Sequence, residues 1–369
     1  MGWPVMPFSG AVIGYGNLGA RHAEVISGLE QSNLIAVCDP DKNALNKAAD
    51  LYPNILTFEK SSELFQSQDL DIVAVATHAS KHAELALMAA KYGVHVVCEK
   101  PIAANLEEAD KMVKTFKEAG LQLVIDHQWR MGPGAEKVAA LLEDSAIGRL
   151  LTMKVNFCKG RPAGWELNEM GTHVFDMVCK FAGKPIDCFS NILVGERDAT
   201  KEDIKRGDEL LPGSYDSGWV VGTSLAASFR FSSGALLIAE GYFSGDYVNE
   251  RILIEMRGTK GRLRLTGGAF NEVFIAQGVY PEGKNHNIPW EAVPISKRII
   301  RKNMSEFAGT IAPVYEALFE SIKTSSLHPC SGNGGRSAME MISAVYMSHF
   351  SKNVVSLPLS NRKDPLALK

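Results

Sequence analysis

Ala11-Val12-Ile13-Gly14-Tyr15-Gly16-Asn17-Leu18-Gly19-Ala20 decides how the first third of the chain reads. Three apolar residues run straight into G-x-G-x-x-G, and a helix-period stretch, Ala20–Gly28, opens behind it. That context gives the glycines their meaning. The first permits a tight turn, the second lets the backbone approach a pyrophosphate, and the third lets helix and strand pack closely. The helix amino end adds N–H donors and positive potential. Asp39 closes the next apolar run, Leu34–Cys38, 20 residues past Gly19. A carboxylate there accepts from the adenosine ribose hydroxyls and repels a 2′-phosphate, which favours NAD; Lys42 nearby leaves NADP open. Gly14, Tyr15, Gly16, Asn17, Leu18, Gly19 and Asp39 form the expected cofactor cradle. Pro7 and Gly10 leave the start of the first strand undefined.

Outward from this turn, short apolar runs alternate with amphipathic stretches. Ala11–Ile13, Leu34–Cys38, Ile72–Ala76, Val94–Cys98 and Leu121–Ile125 suit strands covered on both faces. Ala20–Gly28, Lys42–Leu51, Ser61–Phe65, His82–Tyr92 and Leu106–Ala119 carry helical periodicity, and Gly93 and Gly120 stand where left-handed helix stops belong. Such alternation implies right-handed crossovers and a doubly wound parallel sheet over residues 1–126. The pattern changes after His127. A helix at Pro133–Leu142, a strand at Leu151–Cys158 and a helix near Glu169–Ala182 precede two hairpins. These are Leu225–Phe231 with Ala235–Glu240, and Arg251–Met256 with Arg262–Leu265. Residues 127–369 therefore read as an α+β domain with a mainly antiparallel sheet. Asp198–Ser217 reads as a surface excursion, and Met304–Lys323 and Gly335–Ser348 as a closing helix pair.

The 369 residues suffice for two domains, and 46% hydrophobic with 22% charged residues is an ordinary globular balance. A net charge of −3 gives no long-range pull on nucleic acid or anionic lipid. Cys38, Cys98, Cys158, Cys179, Cys188 and Cys330 lie far apart without a C-x-x-C pair, as expected of reduced thiols in a cytoplasmic protein. No apolar run approaches the ~20 residues of a membrane span, and Met1–Gly10 lacks the form of a secretory signal.

Two clusters could carry chemistry. Glu99-Lys100-Pro101 follows the fourth apolar run, at the strand edge where open parallel sheets bind ligands. Pro101 bars Lys100 from helical geometry, holding it extended where, beside a nicotinamide, it could exchange a proton with a substrate oxygen. A solvated lysine in a turn is the plainer alternative. Thr77, His78 and His82 end the third run and start its helix, to touch cofactor or cap the helix. Glu169, His173 and Asp176 share one sector of a helix beside an apolar stripe of Val174, Met177, Val178 and Phe181. Imidazole, with an ordinary pKa of about 6.5, suits a base that takes a hydroxyl proton while hydride leaves the carbon. Spacing alone equally admits a solvated helix face. No third ligand completes E-x-x-x-H, so no metal is expected.

These residues in this order resemble the Gfo/Idh/MocA family, named for glucose–fructose oxidoreductase, inositol dehydrogenase and a rhizopine-catabolism protein. Gly14–Gly19 with Asp39 resembles its cofactor turn; Ala76-Thr77-His78 with His82, and Glu99-Lys100-Pro101, resemble its A-T-x-x-x-x-H and E-K-P signatures. Arg130 stands where the family has an arginine after its fifth strand, with Gln128 where asparagine is usual. Glu169 to Asp176 resembles the catalytic D-x-G-x-H-x-x-D helix, Gly258–Gly261 the G-T-x-G hairpin and Ser356–Ser360 the final V-x-L-P-L.

The resemblance implies an amino-terminal Rossmann domain and a carboxy-terminal domain whose open sheet serves substrate and oligomer contacts. The chain would be an NAD- or NADP-dependent oxidoreductase of sugars, inositols or related polyols, and a homodimer or homotetramer. Lys100 and His173 carry over as the proton-handling pair, and Glu169 replaces the catalytic aspartate with a side chain one methylene longer. Cofactor contacts extend to Thr77, His78, His82, Glu99, Lys100 and Gln128; substrate contacts would come from Lys100, Arg130, Trp165, Glu169 and His173. Gly164 is the only glycine where the family often has two or three, and His127, Trp129 and Trp165 have no fixed place in its pattern, so they shape substrate preference or simply pack. Two other readings stay open: an NAD-dependent glycosidase working by transient oxidation, and an inactive sugar- or nucleotide-sensing regulator.

Overall fold

The structure is a computed structural model. It describes residues 6–156, 161–210, 218–242, 252–266, 272–278, 289–296, 301 and 303–367. Cys158, the end of the Leu151–Cys158 run, part of Asp198–Ser217 and Arg251 lie outside them. The chain forms two compact units, residues 1–128 with 299–336 and residues 129–298 with 337–369.

The first unit is built on a six-stranded parallel sheet. Its strands are β1 (Phe8–Ile13), β2 (Ser32–Cys38), β3 (Leu56–Phe58), β4 (Ile72–Val75), β5 (His95–Cys98) and β6 (Leu123–Ile125). They run in the order β3-β2-β1-β4-β5-β6, so the order reverses between β1 and β4 and opens the crevice in which such sheets bind ligands. All of β4 is buried, as a strand covered on both faces must be. The intervening helices are α1 (Asn17–Gly28), α2 (Lys42–Leu51), α3 (Ser61–Ser67), α4 (Ala79–Lys91) and α5 (Leu106–Ala119). The Asp41 and Asn105 side chains cap α2 and α5 by accepting from Asn43 N–H and Glu108 N–H. Gly93 and Gly120 adopt φ of 74° and 67°, the left-handed stops their positions imply.

Three departures from the sequence expectation have physical causes. β1 starts at Phe8, three residues before its apolar run: Ser9 N–H and Oγ–H donate to Asp71 Oδ2 (2.7 and 2.9 Å), and Phe8 stacks on Phe319 at 4.9 Å. β3 was not anticipated. It is a three-residue edge strand with Leu56 and Thr57 exposed, so it carries no apolar run, and its presence makes the Val94–Cys98 run the fifth strand rather than the fourth. Residues 299–336, expected to lie with the second domain, pack in the first unit. There the Glu306–Thr324 helix lies against α1, Ser305 Oγ–H donates to Glu24 Oε2 (2.8 Å), and Ile125 N–H donates to Cys330 O (2.9 Å).

The second unit holds one ten-stranded sheet. Its path runs Glu291–Val293, Glu272–Gln277, Gly261–Thr266, Leu253–Gly258, Leu150–Asn156, Leu236–Tyr242, Ser224–Phe231, Pro185–Val194 and Val355–Ser356, with Arg197–Asp198 pairing off Pro185–Val194. Both expected hairpins form, and among the described residues of this sheet the only parallel pairing is Leu150–Asn156 with Leu236–Tyr242. Three helices of this unit matter below: α6 (Pro133–Glu143), α7 (Ala163–Glu169) and α8 (Gly171–Ala182). The helix expected near Glu169–Ala182 forms as α8, while α7, which the sequence does not announce, precedes it and carries Glu169. Met170 sits at the junction with φ −89° and ψ −33°, and Gly171 starts the second segment. Gly164 explains why α7 can lie where it does: a Cβ there would overlap the Val221 carbonyl, so helix and chain meet backbone to backbone. Among the described residues no helix is long and apolar enough to cross a membrane.

Candidate cofactor and active site

The turn after β1 has the shape the three glycines require. Gly14 adopts φ +89°, and a Cβ on it would meet Thr77 Cγ2 at 2.8 Å, so the ends of β1 and β4 abut. A Cβ on Gly19 would overlap the Gly14 carbonyl, which is the close helix–strand packing. Gly16 differs, because nothing lies within 4 Å of a Cβ built there. The fold itself therefore makes no use of that missing side chain. Open space at the amino end of α1 is what an anionic pyrophosphate would fill. Asp39 closes the cradle: Oδ2 accepts from Tyr15 N–H (2.6 Å) and Oδ1 from Asp41 N–H (2.8 Å). Held in this way, its charge faces where a ribose would bind and disfavours a 2′-phosphate. Lys42 is turned to Glu59 (3.2 Å). Asn17 is exposed, Leu18 half-buried and the Tyr15 ring buried. Gln128 Oε1 is a buried acceptor with no hydrogen-bond partner among the described residues, which suits a polar group of a bound ligand. The residues present fit a dinucleotide.

Lys100 sits half-buried at the end of β5 in a corner tied on both sides. His82, expected to face cofactor or cap α4, does neither. It is buried, with Nδ1 2.8 Å from Pro101 O and Nε2 3.0 Å from Thr77 O, which ties the ends of β4 and β5 together. Burial lowers its pKa against those two carbonyls, so the neutral ring donates to one of them at a time. His78 takes the N-cap position of α4 without a side-chain capping bond and is exposed; Thr77 is half-buried beside Gly14.

Glu99 is likewise turned inward rather than toward a cofactor. One oxygen lies 3.2 Å from His22 Nε2 and the other accepts from Lys100 N–H at 3.2 Å. His22 Nδ1 meets Tyr315 Oη at 2.8 Å, and Asp126 Oδ2 lies 3.7 Å from His22 Nε2. All four residues are buried. Burial opposes a charge on His22, but the Glu99 hydrogen bond and the two carboxylates outweigh it and raise its pKa. Burial likewise works to raise Glu99, yet His22 holds it below the usual carboxylate range. Asp126 is pushed up to about 7 by burial first and then by the Glu99 charge. Its native form thus holds a proton that the unfolded chain has lost between about pH 4 and 7, and stability falls as pH rises through that window, by at most about 1.4 kcal/mol per pH unit. The raised His22 adds a loss of the same sign above its ordinary value. We expect Asp126→Asn to be more stable than the parent at pH 8 and to flatten the decline between pH 5 and 8. Thermal melts across that range check this, and an unchanged slope would contradict it. His22, Asp126 and Tyr315 escape a sequence reading, since His22 and Glu99 are 77 residues apart.

The second unit places the other candidates around α7 and α8. Glu169 and His173 are 3% and 4% exposed, so they do not belong to a solvated helix face. Val174, Met177 and Val178 are fully buried, and Phe175 packs edge-on against Phe229. Arg130, expected at the substrate, reaches α8 instead: Nη1 donates to Asp176 O (2.9 Å) and Oδ1 (3.2 Å). Trp165, also expected at the substrate, is 1% exposed beneath the Arg161 guanidinium, 4.0 Å from its ring centroid. Arg161 in turn donates twice to the buried Glu166 (2.6 and 2.8 Å). Trp129 stacks on His173, with centroids 4.5 Å apart and planes at 24°. Cys38, Cys98, Cys188 and Cys330 are buried thiols outside disulfides, and Cys179 a half-buried one.

The cradle and the strand order define a dinucleotide-binding architecture. Residues 8–127 match the GFO_IDH_MocA model, described as an oxidoreductase family with an NAD-binding Rossmann fold. The chain is 25% identical to D-apiose dehydrogenase of Paraburkholderia graminis, over 79% of this chain and 78% of that one. It is 27% identical to myo-inositol 2-dehydrogenase of Thermotoga maritima, over 68% and 73%. Its fold superposes on levoglucosan dehydrogenase, solved with NADH and L-sorbose, at a TM-score of 0.78 and 18% identity, covering 96% of this chain and all of the other. Residues 8–127 thus match the NAD-binding domain of the Gfo/Idh/MocA oxidoreductases, and over two thirds or more of its length the chain is similar to sugar and polyol dehydrogenases.

Proposed function

We propose that the protein oxidises or reduces a secondary alcohol carbon of a sugar, inositol or related polyol with NAD. Bound NAD supplies the hydride acceptor or donor. The chain's own groups handle the proton: Lys100 polarises the substrate oxygen, His173 takes the hydroxyl proton, and Glu169 orients His173 from the end of α7. Oxidation leaves a carbonyl where the carbinol was, with the proton on the imidazole. The observation that carries the reading is the open cradle at Gly16 beside the doubly held Asp39 carboxylate. Kinship with dehydrogenases named for apiose and inositol supports the substrate class. Phe189, Leu236, Ile238 and Tyr242 lie exposed on one face of the large sheet, which supports a homodimer or homotetramer through that face. The site is a cytoplasmic one in this reading, with buried thiols outside disulfides.

The test is a panel of polyols, sugars and sugar acids offered with NAD and with NADP, read by absorbance of the reduced nicotinamide. We expect turnover with at least one polyol and a preference for NAD. Release of an aryl glycoside's leaving group without accumulation of NADH would point to the glycosidase chemistry, and ligand binding without turnover to a regulator.

A further inference from the structure

The short 3-10 turn Gln128–Met131 carries two neighbouring side chains that grip α8 one turn apart. Trp129 lies nearly parallel to the His173 ring, and Arg130 clamps Asp176 through its carbonyl and carboxylate. Lys180 Nζ donates to Arg130 O (2.9 Å) and pairs with Glu136 on α6, so the turn is bracketed from behind as well. Three anchors on one four-residue turn leave Trp129 little freedom to slide. A stacked, near-coplanar indole fixes the plane of the imidazole, and its π face favours the cationic over the neutral ring.

We propose that Trp129 is a positioning residue for His173: it sets the imidazole plane and stabilises the imidazolium formed when the substrate O–H bond breaks and the ring nitrogen gains the proton. This rests on the reading of His173 as the proton acceptor. The effect is differential, because the indole interacts more strongly with the ring after proton transfer than before it. The charged groups on α8 and on the elements packed against it are Glu166 and Glu169 on α7, Asp176 and Lys180 on α8, Arg130 on the turn, and Glu136, Lys137 and Glu143 on α6.

Two measurements on the full chain test this. The first needs no substrate. An imidazolium stacked on an indole quenches its fluorescence, so the parent emission should fall on acidification with one midpoint. That titration should vanish in both Trp129→Phe and His173→Gln. Its persistence in either variant would overturn the stacking as a chemical coupling, whether or not the dehydrogenase reading holds. In the second, with a substrate from the panel, Trp129→Leu should lower kcat by about tenfold and shift the acidic limb of its pH profile, with KM and the NAD affinity within about threefold. Trp129→Phe should restore most of the rate, because a ring face returns. Equal losses in kcat and in NAD affinity, or no rescue by phenylalanine, would show a merely structural role. Complete inactivity of the parent toward the panel, with the fluorescence titration intact, would count against the dehydrogenase reading and not against the stacking.

Discussion

Lys100→Ala should lower kcat by about 10³-fold while NAD still binds within about threefold of the parent. The size follows from the role: a positioned proton donor or acceptor contributes roughly 10²–10⁴ in rate, and Lys100 also polarises the oxygen. The corner that holds it does not depend on its side chain. His82 grips the Pro101 carbonyl, and Glu99 accepts from the Lys100 backbone N–H, which alanine keeps. The fold and the phosphate turn should therefore survive the change. Steady-state rates with an active polyol, together with NAD titration followed by fluorescence or calorimetry, separate the two effects. Full activity would remove Lys100 from the reaction. Lost NAD binding would make it a cofactor contact rather than a proton carrier.

The second large effect concerns the cradle. Gly16→Val should leave the melting temperature within about 2 °C of the parent and weaken NAD binding by more than about 100-fold. No atom lies within 4 Å of a Cβ at this position, so the folded chain has room for the new side chain, but a pyrophosphate approaching the same backbone does not. Gly19→Ala offers the opposite outcome. Its Cβ would overlap the Gly14 carbonyl, forcing β1 and α1 apart, so the fold should lose stability before any question of binding arises. Thermal melts and NAD titration on both variants check the contrast. Unimpaired NAD binding by a well-folded Gly16→Val would mean that no phosphate passes over this turn.

Much of the first unit was legible because local chemistry and global fold agree there. The glycine turn, the apolar run of β4 and the stops at Gly93 and Gly120 each express their structure within a few residues. β3 was not legible, because an exposed three-residue edge strand needs no apolar pattern. The break between α7 and α8 is equally hidden: Met170 keeps helical dihedrals, and α8 restarts one residue later at Gly171. Glu169 and His173, expected on one helix face, fall on α7 and α8, and neither their burial nor the indole against His173 is legible from spacing. Arg130 and Trp165 show why residue type alone misleads: an arginine and a tryptophan near a candidate site can equally hold the scaffold, through Asp176 in one case and Arg161 in the other. The His22, Glu99 and Asp126 cluster arises only when α1, β5 and β6 assemble, so no window of sequence contains it.

Hydride transfer leaves an isotopic trace, and that trace is the most direct test of the account. A polyol substrate found in the panel, deuterated at the reacting carbinol carbon, should pass its deuterium to the nicotinamide, giving a reduced cofactor about one mass unit heavier by mass spectrometry. Reduced cofactor of ordinary mass, or oxidation of the polyol with no change in the nicotinamide, would contradict it.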